Sequence, residues 1–362
     1  MKPSVPDYIL SLKPYVPGKP IEELEREYGL VNVVKLASNE NPLGPSPMAV
    51  RAIQRAVGHL NRYPDGGCYE LIQCIAKKFS VSAESIVIGN GSDDIIAMLA
   101  TALLRPGDEV ILAKPSFLFY EIAAVSAGAK PVWVPLKSFA ADLEGMLKKM
   151  SSRTRMVFLT HPHNPTGAVI SKVEFDNFIS AMPPEVVIVL DEAYIEFVRN
   201  PQGLSCLGYM DSENMIVGMR TFSKAYGLAG LRIGYGLMAP FLADILNRVR
   251  QPFNVNALAQ AAAIAALADE DFLKKTIELI HRELDFMYAS LDRLGIDYLR
   301  SEANFFLIDV GCSADEVFNE LLKQGIIVRS MSSYGYKSFI RVNIGIREEN
   351  VRFLNALGSI IR

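Results

Sequence analysis

Short continuous runs of apolar residues, rich in β-branched side chains, recur between residues 85 and 237. They occupy residues 85–88, 109–112, 156–160, 186–190, 215–219 and 232–237. Stretches of helical period lie between many of them, such as residues 93–104 and 172–181. Strands that are apolar on both faces are typical of a parallel sheet that crossover helices cover on both sides. The pattern therefore predicts an α/β fold with a mainly parallel, doubly wound sheet.

The pattern changes after residue 252. A helical stretch over residues 256–294, with a bend or break, leads to strand and helix segments at residues 304–310, 314–324, 326–329 and 339–344. These predict a smaller α+β lobe. The first forty residues contain Pro14, Pro17, Gly18 and Pro20, which interrupt regular structure, so we expect no core element there. The predicted division is an arm at 1–38 that lies on the small lobe or on a partner subunit, a large domain at 39–256 and a small domain at 257–362.

The composition favours a soluble protein whose ligands are small metabolites. The chain has 362 residues, of which 50% are apolar and 21% charged, and a net charge of -3 without any basic run, so nucleic acid is not an expected partner. The cysteines form no CxxC pair, which favours reduced thiols. The amino terminus lacks the apolar core of a signal peptide, and the most apolar helical stretch, residues 257–268, is too short to span a bilayer. We therefore expect a cytoplasmic protein.

Candidate chemistry follows the ends of the predicted strands, where open parallel sheets bind their ligands. Gly89 and Gly91 lead from one strand into a helix, whose first N–H groups can hold a phosphate. Asn164 follows another strand in an Asn-Pro-Thr-Gly turn. Asp191 directly follows residues 186–190, and a carboxylate there is costly unless a cation meets it, although it could instead cap the next helix.

Lys224 follows the predicted strand at residues 215–219. Its neighbours Phe222 and Ser223 are unusual for a solvated surface charge, and an amine in apolar surroundings near other cations becomes a nucleophile. Arg232, with the hydroxyls of Thr221 and Ser223, is suited to grip a phosphate. Four strand ends would thus supply a phosphate cradle, an amide, a carboxylate and a lysine–arginine pair.

Together these motifs resemble the fold-type I aminotransferases, which use pyridoxal 5'-phosphate, and most closely the histidinol-phosphate aminotransferases. The resemblance covers nearly the whole chain. It is carried by Ala-Ser-Asn-Glu-Asn-Pro at 37–42, Arg-Tyr-Pro-Asp at 62–65, Gly-Asn-Gly-Ser-Asp at 89–93, Asn-Pro-Thr-Gly at 164–167, Asp-Glu-Ala-Tyr at 191–194, Ser-Lys at 223–224, Ala-Gly-Leu-Arg at 229–232 and Phe-Ile-Arg at 339–341. It implies a large domain around a mainly parallel sheet and a smaller α+β domain.

The resemblance also implies a role for each candidate residue at the cofactor. Lys224 would carry the cofactor as a Schiff base and move the substrate proton, and Asp191 would pair with the pyridine nitrogen. Tyr194 and Asn164 would donate to the ring oxygen O3'. Phe117 would stack on the ring. The residues around the phosphate would be Ser92, Asp93, Thr221, Ser223 and Arg232.

Further residues would bind the substrate or complete the site. Arg341 would bind the α-carboxylate of glutamate, and Arg329 the anionic end of the other substrate. Asn39 belongs to the same predicted substrate site, and Tyr15 would close over it. Tyr63 would reach the cofactor phosphate of a neighbouring subunit, so the resemblance implies a homodimer.

Three positions depart from the family pattern, and the sequence leaves several alternative functions open. Asp94 stands where Glu is frequent, Phe117 where Tyr is frequent, and His161-Pro-His163 where Asn-Pro-Asn is usual; we expect the last two near the substrate. A metal site on the two histidines is disfavoured because no third ligand is near. The favoured function is amino transfer between histidinol phosphate and 2-oxoglutarate. The alternatives are an aromatic amino acid or another phosphorylated amine as substrate, decarboxylation as in threonine-phosphate decarboxylases, and a non-catalytic ligand sensor.

Overall fold

The computed structural model describes residues 4–12, 14, 19–200 and 202–361. The helices in this part of the chain are α1 (Asp7–Leu10), α2 (Ile21–Tyr28), α3 (Pro47–Ala56), α4 (Tyr69–Phe79), α5 (Ser92–Leu103), α6 (Leu118–Ser126), α7 (Leu143–Lys148), α8 (Lys172–Ser180), α9 (Pro240–Val249), α10 (Ala257–Ala268), α11 (Glu270–Leu294), α12 (Ala314–Lys323) and α13 (Arg347–Ile360). The strands are β1 (Val34–Lys35), β2 (Ile86–Gly89), β3 (Glu109–Lys114), β4 (Lys130–Pro135), β5 (Thr154–Thr160), β6 (Val187–Asp191), β7 (Ile216–Thr221), β8 (Gly234–Leu237), β9 (Tyr298–Leu299), β10 (Phe305–Asp309), β11 (Ile326–Ile327), β12 (Arg329–Ser330) and β13 (Phe339–Asn343).

The larger sheet has seven strands in the order β2-β8-β7-β6-β5-β3-β4. Strands β3 to β7 run parallel to one another, and β8 is antiparallel to both of its neighbours. The prediction of a mainly parallel α/β sheet is therefore confirmed. Each apolar run predicted as a strand in residues 85–237 forms one, with ends that differ by up to two residues.

The central strands are continuously apolar because both faces of the sheet are covered. Alternate side chains of β5 and β6 enter two different cores. One core includes Val157, Leu159, Ile188 and Leu190. The other includes Met156, Phe158, Val187 and Val189. Full burial of such a side chain stabilises a fold by about 1.5–3 kcal/mol, so these strands are fixed in register and their carboxyl ends are rigid supports.

The helical stretch predicted over residues 256–294 is broken, as expected. The break lies at Asp269, whose carboxylate accepts a hydrogen bond from the Phe272 N–H at 3.3 Å and so caps the start of α11. The same carboxylate accepts from the Ser46 hydroxyl at 2.5 Å, which ties the break to the start of α3. None of the helices in the described residues is long and apolar enough to cross a membrane.

The second part of the fold contains a four-stranded antiparallel sheet in the order β12-β13-β10-β9. The segment before residue 40 joins this part, since β1 pairs in parallel with β11. The expectation that this segment holds no core element is wrong. In α2, Leu24 is fully buried and packs with Leu322 and Ile327, and α2 ends at Gly29 in the left-handed conformation. Pro20 is the N-cap residue of this helix, so it precedes the helix and does not interrupt it. The domain boundaries at 38 and 256 remain predictions.

Candidate active site

A cavity lies beyond the carboxyl ends of β5, β6 and β7, where the start of α5 and the residues of β12 and β13 also meet. Most of the residues that the sequence singled out line it. They are Asn39, Ser92, Asp93, Phe117, Asn164, Asp191, Tyr194, Thr221, Ser223, Lys224, Arg232, Arg329 and Arg341. The sheet thus brings together side chains that are up to 302 positions apart, from Asn39 to Arg341.

Two predicted site residues are not part of this lining. Tyr15 falls outside the described residues. Tyr63 is 82% exposed, and its ring stacks on that of Phe253 with 4.6 Å between the centroids. Because Tyr63 does not line the cavity of its own chain, its predicted role depends on a second subunit.

Asp191 is the last residue of β6 and is almost completely buried. One carboxylate oxygen accepts from the Ala193 N–H at 3.1 Å, and the other accepts from the Tyr120 hydroxyl at 2.5 Å. Burial raises the pKa of Asp191 to about 6, while these hydrogen bonds act in the opposite direction. Asp191 does not cap the next helix, because the short 3-10 helix Ile195–Phe197 begins after Tyr194 and has no side-chain cap. Its charge is therefore available to the cavity.

Lys224 follows β7 and faces the same cavity. Its amine donates to the Ser38 carbonyl at 3.0 Å and lies 5.8 Å from the centre of the Tyr194 ring. Burial, followed by the positive charge of Arg341, lowers the pKa of Lys224 to about 8. The amine therefore loses its proton far more readily than an ordinary lysine does near neutral pH, as a nucleophile or a base requires.

One end of the cavity is built to receive an anion. Helix α5 begins with Ser92, so its free backbone N–H groups face this end. The Arg232 guanidinium lies beside it, 3.1 Å from the Asp93 carboxylate and 3.4 Å from the Ser223 hydroxyl. The position of Gly91 favours glycine because its φ is +82°, and a Cβ atom there would also lie only 2.6 Å from the Arg232 guanidinium.

The opposite side is formed by polar groups from both sheets. The Tyr194 hydroxyl accepts from the Asn39 amide at 2.9 Å. The Arg341 guanidinium, in β13, donates to the Asn164 amide oxygen at 2.5 Å and to the Ala37 carbonyl at 3.0 Å. The residues of the amino-terminal segment thus connect the cavity walls that the two sheets supply.

The sequence analysis did not identify several residues that line the cavity. These include Ser38, Tyr120, Thr160 and Tyr334. Thr160 ends β5, so the strand-end rule that found Asp191 would have found it. Tyr120 lies within α6, where no such rule applies, and Ser38 contacts Lys224 through its backbone carbonyl, which every residue type possesses.

The positions of His161 and His163 differ from the predicted ones. We expected His161-Pro-His163 near the substrate, but both histidines are buried outside the cavity lining. The His161 Nδ1 atom accepts from the Ile170 N–H at 3.1 Å, and the His163 Nδ1 atom lies 3.0 Å from the Thr166 hydroxyl. Burial lowers the pKa of His163 to about 4, so the ring is neutral at physiological pH. The histidines therefore support the loop before the cavity.

Comparisons with known proteins all point to one family, the aminotransferases. A family model described as aminotransferase class I and II matches residues 31–357. The histidinol-phosphate aminotransferase of Moorella thermoacetica is 47% identical over 361 residues, which are 99% of this chain and 93% of that protein. Histidinol-phosphate aminotransferase 1 of Nitrosococcus oceani is 46% identical over 353 residues, 98% of this chain and 95% of that protein.

A solved structure agrees with these relatives. Histidinol-phosphate aminotransferase from Sinorhizobium meliloti, in complex with pyridoxal-5'-phosphate, superposes with a TM-score of 0.90 at 30% identity and covers 98% of this chain and 96% of its own. The chain therefore belongs to the class I and II aminotransferases. The fold expected from the resemblance is confirmed.

Proposed function

We propose that this protein is a pyridoxal 5'-phosphate-dependent aminotransferase that transfers an amino group between histidinol phosphate and 2-oxoglutarate. One observation carries the proposal: a buried carboxylate, Asp191, and a lysine with a lowered pKa, Lys224, line one cavity that has an arginine at its anion-binding end. The relatives named histidinol-phosphate aminotransferases, which match nearly the full chain, support the choice of substrate.

The residues of the cavity fit this cofactor. Its phosphate needs several N–H donors and a cation, which the start of α5 and Arg232 supply, with the hydroxyls of Thr221 and Ser223 beside them. Its pyridine nitrogen needs a buried anion. The hydrogen bonds of Asp191 come from neutral groups, a hydroxyl and a backbone N–H, so its charge is left for such a ligand.

When bound, the cofactor supplies an electron sink that stabilises the negative charge formed as the substrate Cα–H bond breaks. Asp191 would hold the proton on the pyridine nitrogen, because the buried carboxylate favours a cationic neighbour. Tyr194 and Asn164 would donate to the ring oxygen. Phe117 lines the cavity and would cover one face of the ring.

Lys224 would have three roles in this reaction. Its lowered pKa would make the Nζ lone pair available, first to hold the cofactor and later to accept a proton from the substrate Cα. The Ser38 carbonyl, 3.0 Å from Nζ, is an acceptor that can hold the protonated amine in place between these steps. The chemistry thus uses one side chain as anchor, base and acid.

The arginines would recognise the anionic groups of the substrates. Arg341 is held by Asn164 and Ala37 and would bind the α-carboxylate of glutamate with its fork of N–H groups. Arg329 lines the cavity from β12 and would bind the phosphate of histidinol phosphate. Asn39 would lie beside the substrate amine. Two cations suit a pair of substrates that are both anionic.

Arg341→Lys is expected to raise the KM for glutamate about 10- to 100-fold, with a smaller effect on kcat. Lysine keeps the charge but loses the fork, and a hydrogen bond to a charged group contributes about 1.5–3 kcal/mol. Steady-state kinetics with varied glutamate measure this. Arg352→Lys is the control, since Arg352 makes only backbone contacts with Asn32 and Gln324 outside the cavity. An unchanged KM in Arg341→Lys would remove the carboxylate assignment.

We propose in addition that the active form is a homodimer. Tyr63, Tyr69 and Phe253 are 82%, 67% and 46% exposed, and the Tyr63 ring stacks on that of Phe253, so large aromatic side chains are presented to the outside. A second copy would cover them and let Tyr63 reach the phosphate end of the partner's site. Sedimentation of the purified chain as a monomer only would contradict this.

The function is tested by half-reactions. The cofactor-loaded protein is mixed separately with histidinol phosphate, glutamate, phenylalanine and threonine phosphate, and conversion to the pyridoxamine form is followed by absorption. We expect rapid conversion with histidinol phosphate and glutamate. Conversion with phenylalanine alone would make the protein an aromatic aminotransferase, and release of carbon dioxide from threonine phosphate would make it a decarboxylase. No conversion with any amine would contradict an aminotransferase.

A further inference from the structure

Tyr120 contacts the key carboxylate of the site but belongs to no motif that the sequence reveals. Its hydroxyl lies 2.5 Å from Oδ2 of Asp191 and 3.1 Å from the hydroxyl of Thr160. Tyr120 is 1% exposed, and Thr160 is 4% exposed. The three polar groups therefore form a buried chain at the base of the cavity.

The direction of this chain follows from its chemistry. An ionised carboxylate can only accept hydrogen bonds, so the Tyr120 O–H donates to Asp191. The hydroxyl of Thr160 is then the donor to the Tyr120 oxygen. Burial keeps the Tyr120 pKa well above its usual value, so this side chain stays protonated and remains a donor. A donor to a charged acceptor makes one of the stronger hydrogen bonds in proteins.

The packing holds the Tyr120 ring in a fixed place. It stacks on Phe158 of β5 with 4.5 Å between the centroids and meets the edge of Phe117 at 5.5 Å. Thr160 is also fixed, since it is the register partner of Asp191 on the neighbouring strand. The hydroxyl of Tyr120 therefore cannot move away from the carboxylate without disturbing the aromatic packing of α6 against the sheet.

We propose that Tyr120 is a positioning residue that acts through Asp191: its hydroxyl fixes Oδ2 and favours the ionised carboxylate, so that the negative charge is ready for the cofactor ring. This inference rests on the proposed function. Tyr120 orients the group that would hold the proton on the ring nitrogen, whereas Asp191 itself makes that contact. The backbone N–H of Ala193 fixes the other oxygen, so both ends of the carboxylate are held.

The electrostatic surroundings make this donor important. Burial is the largest influence on the carboxyl group, and the nearby negative charges of Asp93 and Glu192 also favour its protonation. The hydrogen bonds from Tyr120 and Ala193 act against them. Removing the Tyr120 hydroxyl removes the larger of the two opposing effects. A hydrogen bond to a charged group is strong enough that we expect the proton affinity of Asp191 to rise about 10- to 100-fold.

The experiment measures that affinity directly. The full-length chain is labelled with 13C at the aspartate carboxyl carbons and titrated by NMR in its cofactor-free form, and the Asp191 signal is identified by its loss in Asp191→Asn. The wild-type midpoint is expected near pH 6. In Tyr120→Phe it should move up by about one to two pH units. Tyr209→Phe is the matched control, since it removes another tyrosine hydroxyl that lies 2.5 Å from an aspartate, Asp176, far from the cavity.

An Asp191 midpoint that stays the same in folded Tyr120→Phe would overturn the proposal, as would an equal shift in Tyr209→Phe. If Tyr120→Phe does not fold, Thr160→Val serves instead: it weakens the chain at its outer end and should move the midpoint in the same direction by less, and no movement would overturn the proposal. The titration needs no cofactor. Failure of the wild-type chain to bind the cofactor would therefore refute the proposed function separately.

Discussion

Lys224→Ala is expected to abolish both amino transfer and the visible absorption band of the lysine-bound cofactor while the fold is retained. The amine is the group in this cavity that can form the covalent link to the aldehyde, because burial and Arg341 lower its pKa to about 8. The loss of activity should exceed that of any other single substitution, since anchor, base and acid are removed together. An amino-transfer assay, absorption spectra and circular dichroism of the purified variant measure the three parts of the prediction.

A lysine outside the cavity provides the control. Lys114 lies at the end of β3, with its amine 5.9 Å from the Trp133 ring, and it does not line the cavity. Lys114→Ala should keep the absorption band and most of the activity. A Lys224→Ala protein that still shows the band of lysine-bound cofactor would mean that another lysine is the anchor.

Asp191→Asn is expected to keep measurable cofactor binding but to lose turnover by about two to three and a half decades. Removing one partner of a buried ionic pair costs about 3–5 kcal/mol, and each 1.36 kcal/mol in the transition state is a factor of ten in rate. Asparagine has nearly the same shape and keeps one acceptor oxygen, but its NH2 group cannot accept, so one of the two hydrogen bonds is lost together with the charge. Stopped-flow measurement of the half-reaction with glutamate gives the rate directly.

The matched control for this change is Asp176→Asn. Asp176 also accepts a hydrogen bond from a tyrosine, Tyr209, at 2.5 Å, but it lies on the surface of α8 away from the cavity. Its substitution should leave turnover within a factor of two or so of the wild-type value, as for most surface changes. Near-normal turnover in Asp191→Asn would show that Asp191 has only a structural role.

The large sheet could be predicted from sequence because its central strands are buried on both faces. Such strands leave continuous apolar runs, and those of β5 and β6 enter the two cores alternately. The edge strand β4 was not predicted, because it lacks this burial on both faces. Its sequence, Lys-Pro-Val-Trp-Val-Pro, is only partly buried and contains two prolines, which occur at sheet edges and read as loop in a sequence.

Local patterns also mislead where tertiary contacts decide the outcome. The prolines in the first twenty residues suggested an irregular arm. Helix α2 forms nevertheless, because Leu24 is buried in a hydrophobic cluster with Leu322 and Ile327. That cluster includes residues almost 300 positions later, so no local pattern could reveal it. In the same way the histidine pair was expected near the substrate, whereas both rings are buried outside the cavity lining.

The site was predictable to the extent that its residues follow strands. Asp191 and the Lys224 segment stand at the carboxyl ends of β6 and β7, where open α/β sheets place their ligands. Arg341 comes from a strand of the other sheet and was identified by family resemblance alone. Tyr120 could not be found by either route, because its importance lies in a hydrogen bond to Asp191 that only the packing of α6 against the sheet creates.

The most direct test of the central claim locates the cofactor on the chain. The loaded protein is treated with borohydride, digested and analysed by mass spectrometry for the peptide that carries the pyridoxyl group. We expect a single modified site, Lys224, in the wild-type protein and in Asp191→Asn alike. Modification of a different lysine, or a chain that takes up no pyridoxyl group at all, would contradict it.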